Sequence, residues 1–180
     1  MYGPFSANDT KTLPSPRFDA LTHELTHLDR DGSARMVDVT QKPVTVRKAV
    51  AEGSISLSAQ VIGQLERLKK GNAFEVARLA GISAAKKTWD LIPLCHPLAL
   101  SGIDVEFQPD AEHQVVWVRA SVTCSGQTGV EMEAMTAVSV ALLTIYDMTK
   151  AVARESVISN VRLIEKVGGK TGHWKRKPKG

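Results

Sequence analysis

Ile103-Asp104-Val105-Glu106-Phe107-Gln108 alternates apolar and polar residues without a break, and Val116, Val118, Ala120 and Val122 repeat that period after a polar turn. Strict alternation marks a strand with one buried and one wet face, so the two runs predict a hairpin. Directly afterwards, Ala134, Val138, Ala141, Ile145 and Met148 advance by four, three, four and three residues. That spacing predicts a long amphipathic helix.

Working outward, Val44 to Ser58 is rich in Val, Ile, Thr and Ser, and Ser54-Ile55-Ser56-Leu57-Ser58 alternates as a half-buried strand does. Two helices are expected next, over Ala59 to Leu68 and over Ala73 to about Trp89. In the second, Ala73, Val76, Ala77, Ala80 and Ala84 share a face. Val157 to Val167 closes the series as a β-rich segment. The order is strand, helices, strand, strand, helix, strand. It predicts an α+β fold of the ferredoxin-like, split βαβ plan: an antiparallel sheet with helices on one face, plus additional helices.

The polar stretch 1–31 holds three of the eight prolines and no sustained periodicity, so it is expected to be a disordered extension. Residues 32–172 are expected to form one domain and 173–180 a basic tail. With 180 residues, 43% apolar and 23% charged, the chain has ordinary globular composition. The net charge of +4 owes much to Lys166, Lys170, Lys175, Arg176, Lys177 and Lys179. Such a charge suits nucleic acid, membrane headgroups or a small polyanion alike. Two cysteines make no disulfide framework, and the longest near-apolar run, Ala134 to Ile145, is too short to span a bilayer. A cytoplasmic, reduced protein is expected.

Several local patterns carry candidate chemistry. Cys95 and His96 lie in Leu94-Cys95-His96-Pro97-Leu98, but a zinc site needs about four ligands at suitable spacing, and these are absent. His96 is then an acid/base or substrate-contacting group, or a buried structural histidine. Thr128 to Glu131 has the S/T-x-x-E form of a capping box, which accounts for Glu131 and leaves Glu133 free to face a site. Asp147 and Lys150 stand one helical turn apart, either as a surface ion pair or as a tuned proton donor. Gly168-Gly169-Lys170-Thr171 lacks the earlier glycine and the following helix of a Walker loop. It can still clamp a phosphate. Lys69 and Lys70, before Gly71, read locally as a solvated helix end.

Taken in order, five blocks are more specific than any one of them: Met36-Val37-Asp38-Val39, KKTWDLIPLCHPL over 86–98, TGVEMEAMTA over 128–137, IYDMTKA over 145–151 and KVGGKTG over 166–172. Together they resemble the family of molybdenum-cofactor biosynthesis protein C, the cyclic pyranopterin monophosphate synthases. The likeness runs from about Leu25 to Trp174. It implies a ferredoxin-like fold and a lyase that converts 3',8-cyclo-7,8-dihydro-GTP to cyclic pyranopterin monophosphate with release of pyrophosphate. It also implies a homohexamer, a trimer of dimers, with active sites at subunit interfaces.

The resemblance assigns Lys70 and Lys150 as catalytic lysines, with Asp147 beside Lys150. Burial and neighbouring cations are expected to lower the pKa values of both lysines. It puts His96, Glu131, Met132 and Glu133 around the guanine and reacting rings, and counts Leu94 and Cys95 among the substrate-binding residues. Arg47, Lys166 and Lys170 would hold phosphates, and Asp38 would line the site. The reaction is redox-neutral, so no cofactor and no protein-bound metal are expected, apart from any Mg2+ that travels with the triphosphate. Thr149 and Val167 depart from the common pattern, where cysteine and serine are frequent.

Two other readings compete. A basic ferredoxin-like domain could bind RNA on its sheet, but Phe107 and Trp117 are the only strand aromatics and no RNA-binding motif surrounds them. A non-catalytic ligand sensor could keep the scaffold alone, yet the expected residue type fills each assigned position. No nucleic acid and no membrane are expected among the partners.

Overall fold

The computed structural model describes residues 33–170 and 172–177. The chain divides into two units, Met1–Val37 and Asp38–Gly180, and the architecture below is that of the second. The expected extension over 1–31 lies outside the described residues.

Five antiparallel strands form one sheet: β1 (Thr45–Ser56), β2 (Leu100–Asp110), β3 (Val115–Gly126), β4 (Ile158–Val167) and β5 (His173–Lys175). Their order is β2-β3-β1-β4-β5. The first four strands, with the intervening helices, give the ferredoxin-like arrangement in an α+β fold. The period-two pattern acts here as expected. Ala49, Ala51 and Ile55 of β1 are fully buried on the same face as Val116, Val118, Ala120 and Val122 of β3, where the register sets Ala51 opposite Ala120 and Ile55 opposite Val116. The other face is charged: Glu52 accepts from Arg119 of β3 at 3.0 Å and from Arg162 of β4 at 2.7 Å.

Helix α4 (Glu131–Thr149) covers the apolar face with fully buried Ala134, Ala137, Val138, Ala141, Leu142 and Ile145. Truncating Leu142 or Ile145 to alanine is a cavity-forming change costing about 2–5 kcal/mol. Helix α2 (Ala73–Lys86) starts at Asn72, whose side-chain oxygen accepts from Phe74 N at 2.9 Å and Glu75 N at 3.3 Å. It packs against α4 through Gly81, where a Cβ would stand 2.9 Å from the Ala137 carbonyl and 3.4 Å from the Ala141 Cβ. Only a glycine allows that approach.

Four expectations need correction. The helix foreseen over Ala59 to Leu68 is a single turn, α1 (Ala59–Ile62), followed by a 3-10 turn at Leu65–Arg67. Gly63 caps α1 and ends it. The helix foreseen to Trp89 stops at Lys86, and a separate turn, α3 (Thr88–Leu91), follows. Val76, expected on the buried face of α2, is exposed, while Phe74, Gly81 and Ala85 take up that face. His173–Lys175, expected in a tail, instead pair with β4 as a fifth strand, Lys166 opposite Trp174.

Candidate active site

The N-terminal end of α4, the start of β1 and the β4–β5 turn enclose a cleft of about 670 Å³. Arg47, Lys166 and Lys170, the three cations assigned to phosphates, all line it. Lys42 and Lys48 add two further positive charges that sequence reasoning missed. Lys42 lies before β1 in a stretch without periodicity, so only the folded chain brings it to this cleft.

Arg47 is held from behind. Its Nε donates to the Gly126 carbonyl and its Nη2 to the Gln127 carbonyl, both at 3.2 Å. The glycine turn presses on it from the front. Gly168 and Gly169 have φ of +104° and +71°, a region that side-chain-bearing residues rarely adopt. A Cβ on Gly169 would overlap the Arg47 guanidinium. The pair of glycines therefore serves both the turn and the placement of the cation.

The capping box expected at Thr128 does not form. Val130 is the N-cap of α4 and no side chain caps the helix. Glu131 instead accepts from Lys166 Nζ at 2.8 Å, across to β4. Glu133, left free by the sequence argument, is buried, and burial pushes its carboxyl up to about 7, with the charge of Glu131 adding to the rise.

The Cys124 thiol marks where these groups meet. Burial raises its pKa first, and the charges of Glu133, Arg47 and Glu131 all reach it. Cys95 is raised likewise, by burial and then by Glu133. Asp38 accepts from the Thr40 hydroxyl at 2.6 Å and its amide at 2.9 Å, and these bonds hold its carboxyl below the usual range. The charge of His96 acts in the same direction. Leu94 is half-buried on the segment of Cys95, and Met132 is exposed on the first turn of α4. Among the described residues, no group of three or more His, Cys, Asp or Glu is gathered to hold a metal.

The lysine pair lies elsewhere. Lys150 Nζ donates to Asp147 Oδ1 at 2.7 Å, at the C-terminal end of α4. That bond, then the charge of Lys150, then the charge of Lys70, holds the Asp147 carboxyl below its ordinary value. The charges of Lys70 and Lys150, eighty residues apart in the chain, therefore both act on one carboxylate. Helices α2 and α4 pack against each other, with Lys70 preceding the first and Lys150 capping the end of the second. One expectation fails: Asp147 raises the Lys150 ammonium above its ordinary value. Both lysines are exposed in the single chain, and the desolvation that opposes the rise at Lys150 is outweighed by Asp147.

The chain is similar in sequence to several known synthases. A synthase from Parvibaculum lavamentivorans is 56% identical over 156 residues, covering 86% of this chain and 98% of the relative. One from Magnetococcus marinus is 56% identical over 154 residues, covering 84% and 94%. One from Pelotomaculum thermopropionicum is 57% identical over 155 residues, covering 85% and 91%. Each of the three bears the name cyclic pyranopterin monophosphate synthase. The model of the MoaC family matches residues 36–169, and the chain belongs to that family.

Proposed function

We infer that this chain is a cyclic pyranopterin monophosphate synthase: a lyase of molybdenum-cofactor biosynthesis that converts 3',8-cyclo-7,8-dihydro-GTP to cyclic pyranopterin monophosphate and pyrophosphate. The relatives' shared name supports the activity. The single observation that carries the site is the cationic cleft beside a buried carboxyl. The triphosphate binds Arg47, Lys166 and Lys170, with Lys42 and Lys48 adding to the field. These cations stabilise the charge that develops as pyrophosphate leaves. The guanine-derived rings lie toward Asp38, His96, Glu131 and Glu133, near Leu94, Cys95 and Met132. A Glu133 carboxyl that titrates near neutrality can accept or donate a hydrogen bond at the N–H edge of the ring.

Ring opening and reclosure require proton transfers, and Lys70 and Lys150 supply them, with Asp147 orienting Lys150. One copy cannot do this alone. Glu131 and Asp147 are sixteen residues apart on one straight helix, roughly 24 Å at 1.5 Å per residue. The lysine pair that completes the site therefore comes from a second copy, in a homohexamer built from dimers. The compartment is the cytoplasm, where the free thiols Cys95 and Cys124 stay reduced. No described helix is long and apolar enough to cross a membrane.

Mixing two inactive variants tests the shared site. Arg47→Ala and Lys150→Ala each lose turnover of the cyclised GTP substrate. Unfolded together and refolded, they recover about a quarter of wild-type turnover, the share that random pairing in a two-fold dimer allows. Two separately inactive variants that stay inactive when mixed would place both clusters' functions in one copy and defeat this reading.

A further inference from the structure

The loop 38–43 carries Asp38 and brings Lys42 into the cleft, yet it belongs to no helix or strand. Its internal bonds are few: Lys42 N donates to the Val39 carbonyl at 2.8 Å, and Thr40 serves Asp38. What ties it to the sheet is one side chain. Gln127 Nε2 donates to the Thr40 carbonyl at 3.1 Å and to the Lys42 carbonyl at 3.0 Å, across more than eighty residues of sequence. The backbone carbonyl of the same Gln127 accepts from Arg47 Nη2 at 3.2 Å.

From this geometry we propose that Gln127 is a positioning residue of the synthase: its amide clips the 38–43 loop over the anion cleft while its carbonyl fixes Arg47, so that Asp38, Lys42 and Arg47 are in place before the substrate arrives. The proposal rests on the functional reading above and assigns a role to a residue that touches none of the reacting atoms. Two loop carbonyls converge on one donor group, and no other side chain bonds to the loop backbone from β1 or β3 among the described contacts. A loop released from that donor has to be ordered again by each incoming substrate, and the cost of ordering appears in binding. Loss of the clip therefore raises KM more than it lowers kcat.

The donor requirement makes the residue choice testable. Gln127→Glu keeps the shape, removes both N–H donors and turns a carboxylate toward two carbonyl oxygens. Gln127→Lys keeps a donor head on a stem of similar reach, with three N–H bonds to share between the two carbonyls. Amide hydrogen exchange on the folded full-length protein needs no substrate and reads the loop directly. In Gln127→Glu, exchange at the Thr40 and Lys42 amides accelerates about tenfold, as expected for losing bonds worth roughly 1.4 kcal/mol, while the amides of β1 and β3 keep their wild-type protection. Gln127→Lys restores protection of the loop. With the cyclised GTP substrate, KM for Gln127→Glu rises about tenfold and kcat stays within about threefold.

Loop exchange that is unchanged in Gln127→Glu overturns the proposal, as does a fall in kcat with KM unaltered. Loss of protection throughout β1 and β3 also overturns it, because Gln127 would then hold the sheet rather than the loop. A wild-type protein without turnover, but with the loop released in Gln127→Glu and restored in Gln127→Lys, would sink the assigned reaction and leave the clip standing.

Discussion

The Lys166 ammonium and the Glu131 carboxylate stand 2.8 Å apart and join strand β4 to the first turn of helix α4. Both are about 30% exposed (30% and 28%), so the pair is neither a free surface bridge nor a dry internal one. It places an acid in a cleft whose other charged residues are all cations, where it neutralises Lys166 until an anion arrives.

Removing that acid separates two effects. Glu131→Gln frees Lys166, and pyrophosphate should bind about fivefold tighter, the order of one screened charge pair at a few ångströms. Turnover should nevertheless fall, because the proposed reading gives Glu131 a place beside the guanine-derived rings as a charged acceptor. Titration calorimetry with pyrophosphate, alongside steady-state rates, reads both. Weaker pyrophosphate binding in the variant would mean that Glu131 organises the cleft rather than restrains it.

Glu133 makes stability depend on pH. Burial first, then the charge of Glu131, lifts its carboxyl to about 7. An unfolded chain loses this proton near 4.5, so between about 4.5 and 7 the folded state binds more protons than the unfolded one. Stability contributed by this group is complete below that window and declines as pH rises through it. Thermal melts should show this decline, and Glu133→Gln should remove it. A Glu133→Gln melting profile parallel to wild type across the window would contradict the assignment.

Asp147 acts on charge, not on folding. It lies on the surface and holds the Lys150 ammonium above its ordinary value through a 2.7 Å bond. Asp147→Asn should lower the Lys150 pKa, visible by NMR titration of labelled lysine, and leave the melting temperature unchanged. A Lys150 that titrates identically in the variant would show that the pair does not persist in solution.

Gly169→Ala tests the turn. The new Cβ meets a backbone at φ +71° and the Arg47 guanidinium. The strained backbone should cost about 1–3 kcal/mol, and displacement of Arg47 should weaken pyrophosphate binding by about tenfold. Denaturant melts and calorimetry measure the two separately.

Particular residues show how far periodicity reaches. The β2–β3 hairpin and α4 were legible because a period of two or of three and four survives any tertiary context that buries one face. The single turn at Ala59–Ile62 was read as a longer helix because Leu65 and Leu68 continue the helical spacing past Gly63. Thr128 was misjudged as a cap because the partner that claims Glu131, Lys166, lies on a strand 35 residues away. Strand β5 left no trace in the pattern, since three residues become a strand only by pairing with β4. Within the site, Arg47 and Lys166 were placed by resemblance alone, whereas the glycine loop already marked Lys170 as a phosphate clamp. Lys42 and Gln127 were missed because their roles exist only through contacts that folding creates.

The short strand β5 has one more effect. It lies along the outer side of β4, while at the opposite margin Arg78 occupies the carbonyl of Val105 on β2, and Pro109 of that strand has no N–H to offer. Both rims of the sheet are thus blunted against joining a neighbouring sheet. The ribbon-like stacking that threatens open sheets is therefore discouraged at each rim.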